Sequence, residues 1–286
     1  CASLCFALQS PRFIGTEQAF SKRNTLLQWF PDKLATLEHL NKLPSAISHD
    51  VYMHCSYDVS ENKHWIKKAL NQVIRRHLLL EGWTDRDVAK LGEYNGKPVM
   101  VVLLEHFHSS HSIYRTHSTS LIAARDHFHL IGVGSDAVDD AGRTVFDEFY
   151  LLDGSSIFDK LNKLKSICEK NGAAVLYMPS IGMDLTTIFA SNTRLAPVQV
   201  IALGHPATTH SDFIEYVIVE DDYVGSEKCF SEQLLRLPKD ALPYVPSALA
   251  PQSVEYHLRE NPEVVNIGVA STTMTVSYTH LRAHET

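Results

Sequence analysis

Five apolar runs separated by helical stripes constrain this chain more than any other feature. They are Val99–Leu104, His129–Val133, Ala173–Met178, Val198–Leu203 and Phe213–Val219. Val99–Leu104 has no polar position, the pattern of a strand buried on both faces. Between the runs, Thr116–Arg125, Ser156–Lys170 and Leu185–Ala190 read as helices. The second of these carries one apolar stripe, Ile157, Phe158, Leu161, Leu164 and Ile167, and ends at Asn171-Gly172. Phe146–Leu151 reads as a further short element. Strand and helix alternating at this spacing make a parallel sheet with helices on both faces. The fold class is therefore α/β.

The first 94 residues have a different character. Phe20, Leu26, Leu27, Trp29 and Phe30 recur at helical spacings before Pro31. Trp65, Ile66, Leu70, Val73, Ile74 and Leu78 mark a basic helix from Asn62 to Leu80. Thr84, followed by Asp85, Asp87 and Val88, predicts a capped start to another short helix. The segment up to Tyr94 is thus expected to be all-α, and the turn cluster Gly92–Pro98 separates it from the sheet.

A chain of 286 residues is long enough for about two domains. Its formal net charge of -7, without a long basic run, argues against nucleic acid as a partner. No window of about 18 uncharged apolar residues predicts a membrane span. The five cysteines are scattered, with no CxxC pair, which favours reduced thiols and a cytosolic setting. Neither an initiator Met nor a charged segment before an apolar one opens the chain, so its start reads as a cut. Val264–Ala270 reads as the first strand of a further α/β unit, after a linker punctuated by Pro243, Pro246 and Pro251. Beyond Met274 the text TVSYTHLRAHET continues no periodicity and resembles adapter or vector read-through. Thr275–Thr286 is read as a foreign tail.

Ligands of open α/β sheets bind beyond the carboxyl ends of the strands. Two loops there carry reactive side chains. The first, Glu105-His106-Phe107-His108-Ser109-Ser110-His111, leaves three readings open. His106, His108 and His111 have the HxHxxH spacing of a metallohydrolase ligand set, although Ser110 stands where such sets carry Asp. His111 is alternatively a general base or a substrate contact, because an imidazole titrates near neutrality. The third reading is a set of surface or hydrogen-bonded structural histidines. The second loop follows Gly204: His205 and His210 flank Thr208 and Thr209, a turn whose N–H and O–H groups suit a phosphate or sugar. Arg115 is a candidate anion clamp, and Glu220, Asp221 and Asp222 are candidate acids or a solvated run. GxGxxG, GxxxxGK[ST] and GxSxG are all lacking, which removes the usual dinucleotide, P-loop and hydrolase assignments.

The segment HPATTHSDFIEYVIVEDDYVGSEKCFSEQLLRLP, with EHFHSSHSIYRTHSTS upstream, closely resembles the bacterial cytoplasmic protein N-glycosyltransferases. These enzymes glucosylate adhesins and belong with O-GlcNAc transferase in glycosyltransferase family 41. The resemblance runs from Cys1 to Met274. It implies a helical domain over residues 1–94 and a first Rossmann-like domain of the GT-B type over 95–250. A linker and the first strand of a second such domain would then fill 251–274. It implies inverting transfer of glucose from UDP-glucose to Asn of Asn-X-Ser/Thr in a protein acceptor, without a metal or other cofactor. O-GlcNAc-transferase-like transfer to Ser/Thr is the alternative within the family.

On this resemblance His111 matches the active-site histidine proposed as the base, and His106 a neighbouring histidine. His205 matches the histidine that faces the sugar nucleotide. Thr208 lies in the same turn, and Thr272 matches a threonine near the uridine diphosphate. The family's diphosphate-binding lysine is replaced by Thr275. The 286-residue polypeptide is therefore expected to be inactive alone. A carboxamide is also a poor nucleophile, and an imidazole of pKa about 6.5 cannot deprotonate it outright. His111 is thus expected to take a proton late or to orient the acceptor.

Overall fold

The computed structural model describes residues 17–38, 40, 51–58, 60–202, 208–239, 241, 243–247, 250–251 and 253. Helix α1 spans Glu17–Ala35 and α2 spans Trp65–Leu80. The helix expected to end before Pro31 runs through it. Proline removes one backbone donor and costs about 3 kcal/mol inside a helix. Leu27, Phe30 and Leu34 offset that cost: each is buried, and each burial contributes roughly 1.5–3 kcal/mol. Helix α2 starts at Trp65, three residues later than expected from Asn62, because residues 61–64 form a turn. Its buried face carries Ile66, Leu70, Val73, Ile74 and Leu78, the stripe read from the sequence.

The helix expected at Thr84 does not form; residues 83–87 are irregular and run into a turn at 88–89. Long-range partners override the local signal. Asp85 receives Arg75 through two bonds of 2.9 and 2.6 Å, Trp83 Nε1–H at 3.0 Å and the Arg194 N–H at 3.1 Å. Burial raises the Asp85 pKa, but these donors outweigh it and the net shift is downward. The buried Arg86 guanidinium donates to the carbonyls of Ala173 at 2.6 Å and Leu195 at 2.8 Å. The helical segment is thereby bolted to the sheet, and both share one core in which Leu27, Phe30 and Val73 join Val101, Leu103 and Val217.

Strand β1, Glu93–Tyr94, was not legible as a strand; it pairs antiparallel with β2, Lys97–Leu104. Asn95 and Gly96 join them at φ 52° and 75°, the left-handed pair of a tight hairpin. Then follow α3 (Ser112–Ala124), β3 (His129–Gly134), α4 (Asp140–Arg143), β4 (Glu148–Leu151) and α5 (Ile157–Lys170). The series closes with β5 (Val175–Met178), α6 (Leu185–Ala190), β6 (Val198–Ala202), β7 (Tyr216–Glu220) and β8 (Gln233–Leu237). Strands β2 to β8 are all parallel, in the order β4-β3-β2-β5-β6-β7-β8.

The order reverses between β2 and β5, where Met100 pairs with Val175. That is the topological switch point of a doubly wound sheet. A second apolar cluster, including Val102, Leu104, Phe107, Leu121 and Phe146, is held apart from the first. Strand β7 starts at Tyr216 and not at Phe213, because the Phe213 carbonyl accepts from Gln199 Nε2 and Glu215 Oε2 accepts the Gln199 N–H. Strand β8 went unread in the sequence: its residues are half exposed and carry no clean alternation. The expected strand Val264–Ala270 lies outside the described residues. Among the described residues no helix is long and apolar enough to cross a membrane.

Candidate active site

Glu105 is the first residue past β2 and sits at the switch point, buried. Its Oε1 accepts the N–H groups of Gly182, Met183 and Asp184 at 2.8, 2.9 and 2.9 Å, together with the Thr187 hydroxyl. These donors belong to the loop after β5 and the first turn of α6. Gly182 supplies the necessary backbone at φ 119°. The other oxygen, Oε2, is buried with no hydrogen bond among the described residues. The carboxylate therefore latches together the two loops that rim the crevice. It stood in the quoted motif without an assigned role. A carboxylate directly after an all-apolar strand is the sequence signal that could have found it.

The histidine loop follows. Its Ser109 N–H donates to Asp139 Oδ2 at 2.9 Å, and Asp139 also caps α4 through the Gly142 N–H at 2.8 Å. Phe107 is buried edge-on against Tyr114, 5.2 Å between ring centroids, and anchors the loop. His111 is the N-cap of α3, and its Nδ1 accepts the Ile113 N–H at 3.3 Å. This cap starts the helix at Ser112, four residues earlier than the expected Thr116. The His111 ring lies 5.5 Å from that of His106 and 5.2 Å from that of His108. Burial, then the charges of His106 and His108, lower the His111 pKa.

The sequence pattern thus brings His106, His108 and His111 together, but not as a ligand set. His108 Nδ1 is 2.9 Å from Ser110 Oγ, and His111 Nδ1 is spent on the helix cap. Among the described residues no three His, Cys, Asp or Glu side chains are arranged to hold an ion. The metallohydrolase alternative has no support in this geometry.

The other candidates are placed differently. Thr208 is buried; its hydroxyl is 2.7 Å from both Ser231 Oγ and Glu232 Oε2. Its carbonyl accepts Lys67 Nζ at 3.0 Å, while Asn71 Nδ2 donates to the Thr209 carbonyl at 2.9 Å. Lys67 and Asn71, buried polar residues on the sheet-facing side of α2, went unread in the sequence. His210 lines a separate hollow with Lys68, Gln72 and Arg75 and does not join the histidine loop. Arg115 is not an open anion clamp: its Nε donates to the Val245 carbonyl at 2.9 Å and its guanidinium covers Tyr244. Asp221 pairs with Arg236, and Glu220 is buried at the end of β7. His205 and Thr272 lie outside the described residues.

Fold and site together define a doubly wound α/β domain, carrying a helical segment, with a cluster of three histidines in the loop that follows β2 at its switch point. Residues 1–78 match the family described as HMW1 domain 2. Over 284 residues, 99% of its length, the chain is 74% identical to the UDP-glucose:protein N-beta-glucosyltransferases of Actinobacillus pleuropneumoniae serotype 5b (strain L20) and serotype 7 (strain AP76). It spans 46% of each of these relatives. Among solved structures, a mutant O-GlcNAc transferase of Thermobaculum terrenum matches 85% of this chain with 58% of its own, at 15% identity and a TM-score of 0.44. The chain is thus similar over nearly its whole length to just under half of each of these two relatives.

Proposed function

We propose that this chain is part of a cytoplasmic, inverting glycosyltransferase that moves glucose from UDP-glucose to Asn of Asn-X-Ser/Thr sites in proteins such as adhesins. The 74% identity across 99% of the chain carries the reading. In the transfer, the Asn side-chain nitrogen forms a bond to C1 of glucose. The C1–O bond to UDP breaks with its electron pair, and one amide proton is released. No metal is assigned a part in this.

We assign residues 1–94 to a helical domain and 95–250 to the first of two Rossmann-like domains, with 251–274 leading into the second. His111 and His106 are the proposed substrate-facing residues in the described region, and His205 and Thr272 the proposed sugar-nucleotide contacts outside it. Thr208 is reassigned from ligand contact to support, because its hydroxyl is occupied within the protein.

The test is an assay of the whole reading frame with UDP-glucose and an Asn-X-Thr peptide in EDTA. A mass gain of one hexose on Asn, lost in His111→Ala, is the expected result. A hexose on Ser or Thr would move the reading to O-linked transfer. No transfer in EDTA, restored by added zinc, would overturn metal independence.

A further inference from the structure

A neutral imidazole carries one ring proton, and its hydrogen bonds decide which nitrogen holds it. A backbone N–H always donates. The Ile113 N–H is directed at Nδ1 of His111 at 3.3 Å, so that nitrogen must offer a lone pair. The proton then resides on Nε2. His111 has the extended backbone of an N-cap, φ -81° and ψ 144°, which sets the ring in this position.

Two costs keep a proton off Nδ1. Protonation there would break the cap and strand a helix-end donor. It would also place a positive charge at the amino end of the 13-residue helix α3, against the helix dipole. Burial and the neighbouring rings of His106 and His108 likewise favour the neutral form. Among the described residues the His111 ring bonds through Nδ1, and Nε2 has no hydrogen bond.

We propose that His111 meets bound substrate as a hydrogen-bond donor through Nε2–H, and that it is not the group that receives the acceptor's proton. The atom it contacts is an oxygen, belonging either to the acceptor amide or to the sugar nucleotide. The substrate side of this rests on the transferase reading; the tautomer rests only on the cap.

The tautomer is tested on the 286-residue chain by 15N–1H correlation of the His111 ring at neutral pH, assigned with His111→Asn. A protonated Nε2 and a bare Nδ1 are expected. A protonated Nδ1, or an even mixture of the two, overturns the proposal.

The donor role is tested in the whole reading frame by two substitutions that divide the ring's functions. His111→Asn keeps a cap oxygen but has no group at the Nε2 position. His111→Gln places an N–H near Nε2 and gives up the cap. Donation predicts that Asn loses about 100-fold or more in turnover while keeping the wild-type urea midpoint. Gln should stay within about 10-fold of wild type in turnover while its midpoint falls. A raised KM for UDP-glucose in the Asn variant places the oxygen on the donor, and a raised KM for the peptide places it on the acceptor. Equal loss in both variants overturns the donor role. A wild-type protein without transfer overturns the transferase reading instead, and the ring spectrum still decides the tautomer.

Discussion

Glu105 Oε1 and the Gly182 N–H lie 2.8 Å apart across the point where the strand order reverses. One residue belongs to the loop after β2, the other to the loop after β5. A switch point opens a crevice because consecutive loops diverge there to opposite faces of the sheet. Here a single carboxylate oxygen ties the two loops together, directly before His106 in the chain.

Replacing Glu105 by Ala should strand three backbone donors and leave the Thr187 hydroxyl with the Asp184 carbonyl as its acceptor. The expected cost is about 3–5 kcal/mol, the range for breaking one side of a buried charged network. Glu105→Gln keeps an oxygen in the Oε1 position and should cost less than half as much. Urea denaturation gives both values, and amide exchange at residues 182–184 should accelerate in Ala alone. Equal destabilisation by the two variants would refute the latch geometry.

Gly142 is a close-approach position. A Cβ there would stand 2.2 Å from the Phe107 carbonyl oxygen. Gly142→Ala is therefore expected to destabilise by about 1–3 kcal/mol through overpacking. It should also shift the ring resonances of His106 and His108, which flank Phe107. Unchanged stability with unchanged ring signals would show that the backbone contact relaxes freely.

His117, buried on α3, should shape the acid limb of stability. Desolvation lowers its pKa from 6.5 to about 4, against a smaller opposing effect of its bond to the Ile113 carbonyl. Between those values the unfolded chain binds more protons than the folded one, so stability falls as pH drops from 6.5 to 4. The contribution is complete above 6.5, and the loss amounts to about 3 kcal/mol by pH 4. In His117→Leu this part of the slope should vanish. Urea midpoints measured from pH 4 to 7 in both proteins decide it; parallel curves would refute the assignment.

Pro31 interrupts the hydrogen bonding of α1. Pro31→Ala restores the donor without disturbing the buried Leu27–Phe30–Leu34 face, and should raise stability by about 1–3 kcal/mol. Thermal unfolding measures this directly. A lowered midpoint would mean that the proline ring itself contributes packing that the alanine loses.

Elements whose signals lie within a turn or two were legible. Leu185–Ala190 forms the helix its pattern predicts, and α5 begins at Ile157, one residue after the expected Ser156, which caps it through a reciprocal pair of bonds with Asp159. The parallel order followed from apolar strands alternating with amphipathic helices. Missing were β1, whose two residues are too few to show a period, and β8, an edge strand with mixed exposure. The false helix at Thr84 shows the converse: its local capping signal was sound, but Asp85 and Arg86 gain more from Arg75, Arg194 and the Ala173 carbonyl.

The candidate site divides along the same line. His106, His108 and His111 cluster because the last stands only five positions after the first in one loop, and the strand before them places that loop at the carboxyl edge of the sheet. Their division into cap, hydroxyl partner and open ring was not written in the spacing. Thr208 looked like a ligand contact until Lys67, 141 positions away, and Glu232 took its carbonyl and hydroxyl. Local order along the chain determined which strands, helices and loops exist, because periodicity, caps and turns are interactions between near neighbours. Only the tertiary structure decided which polar groups remain free to meet a ligand. A buried donor or acceptor must find a partner wherever packing brings one, and the partners of Glu105 lie 77 to 82 residues away.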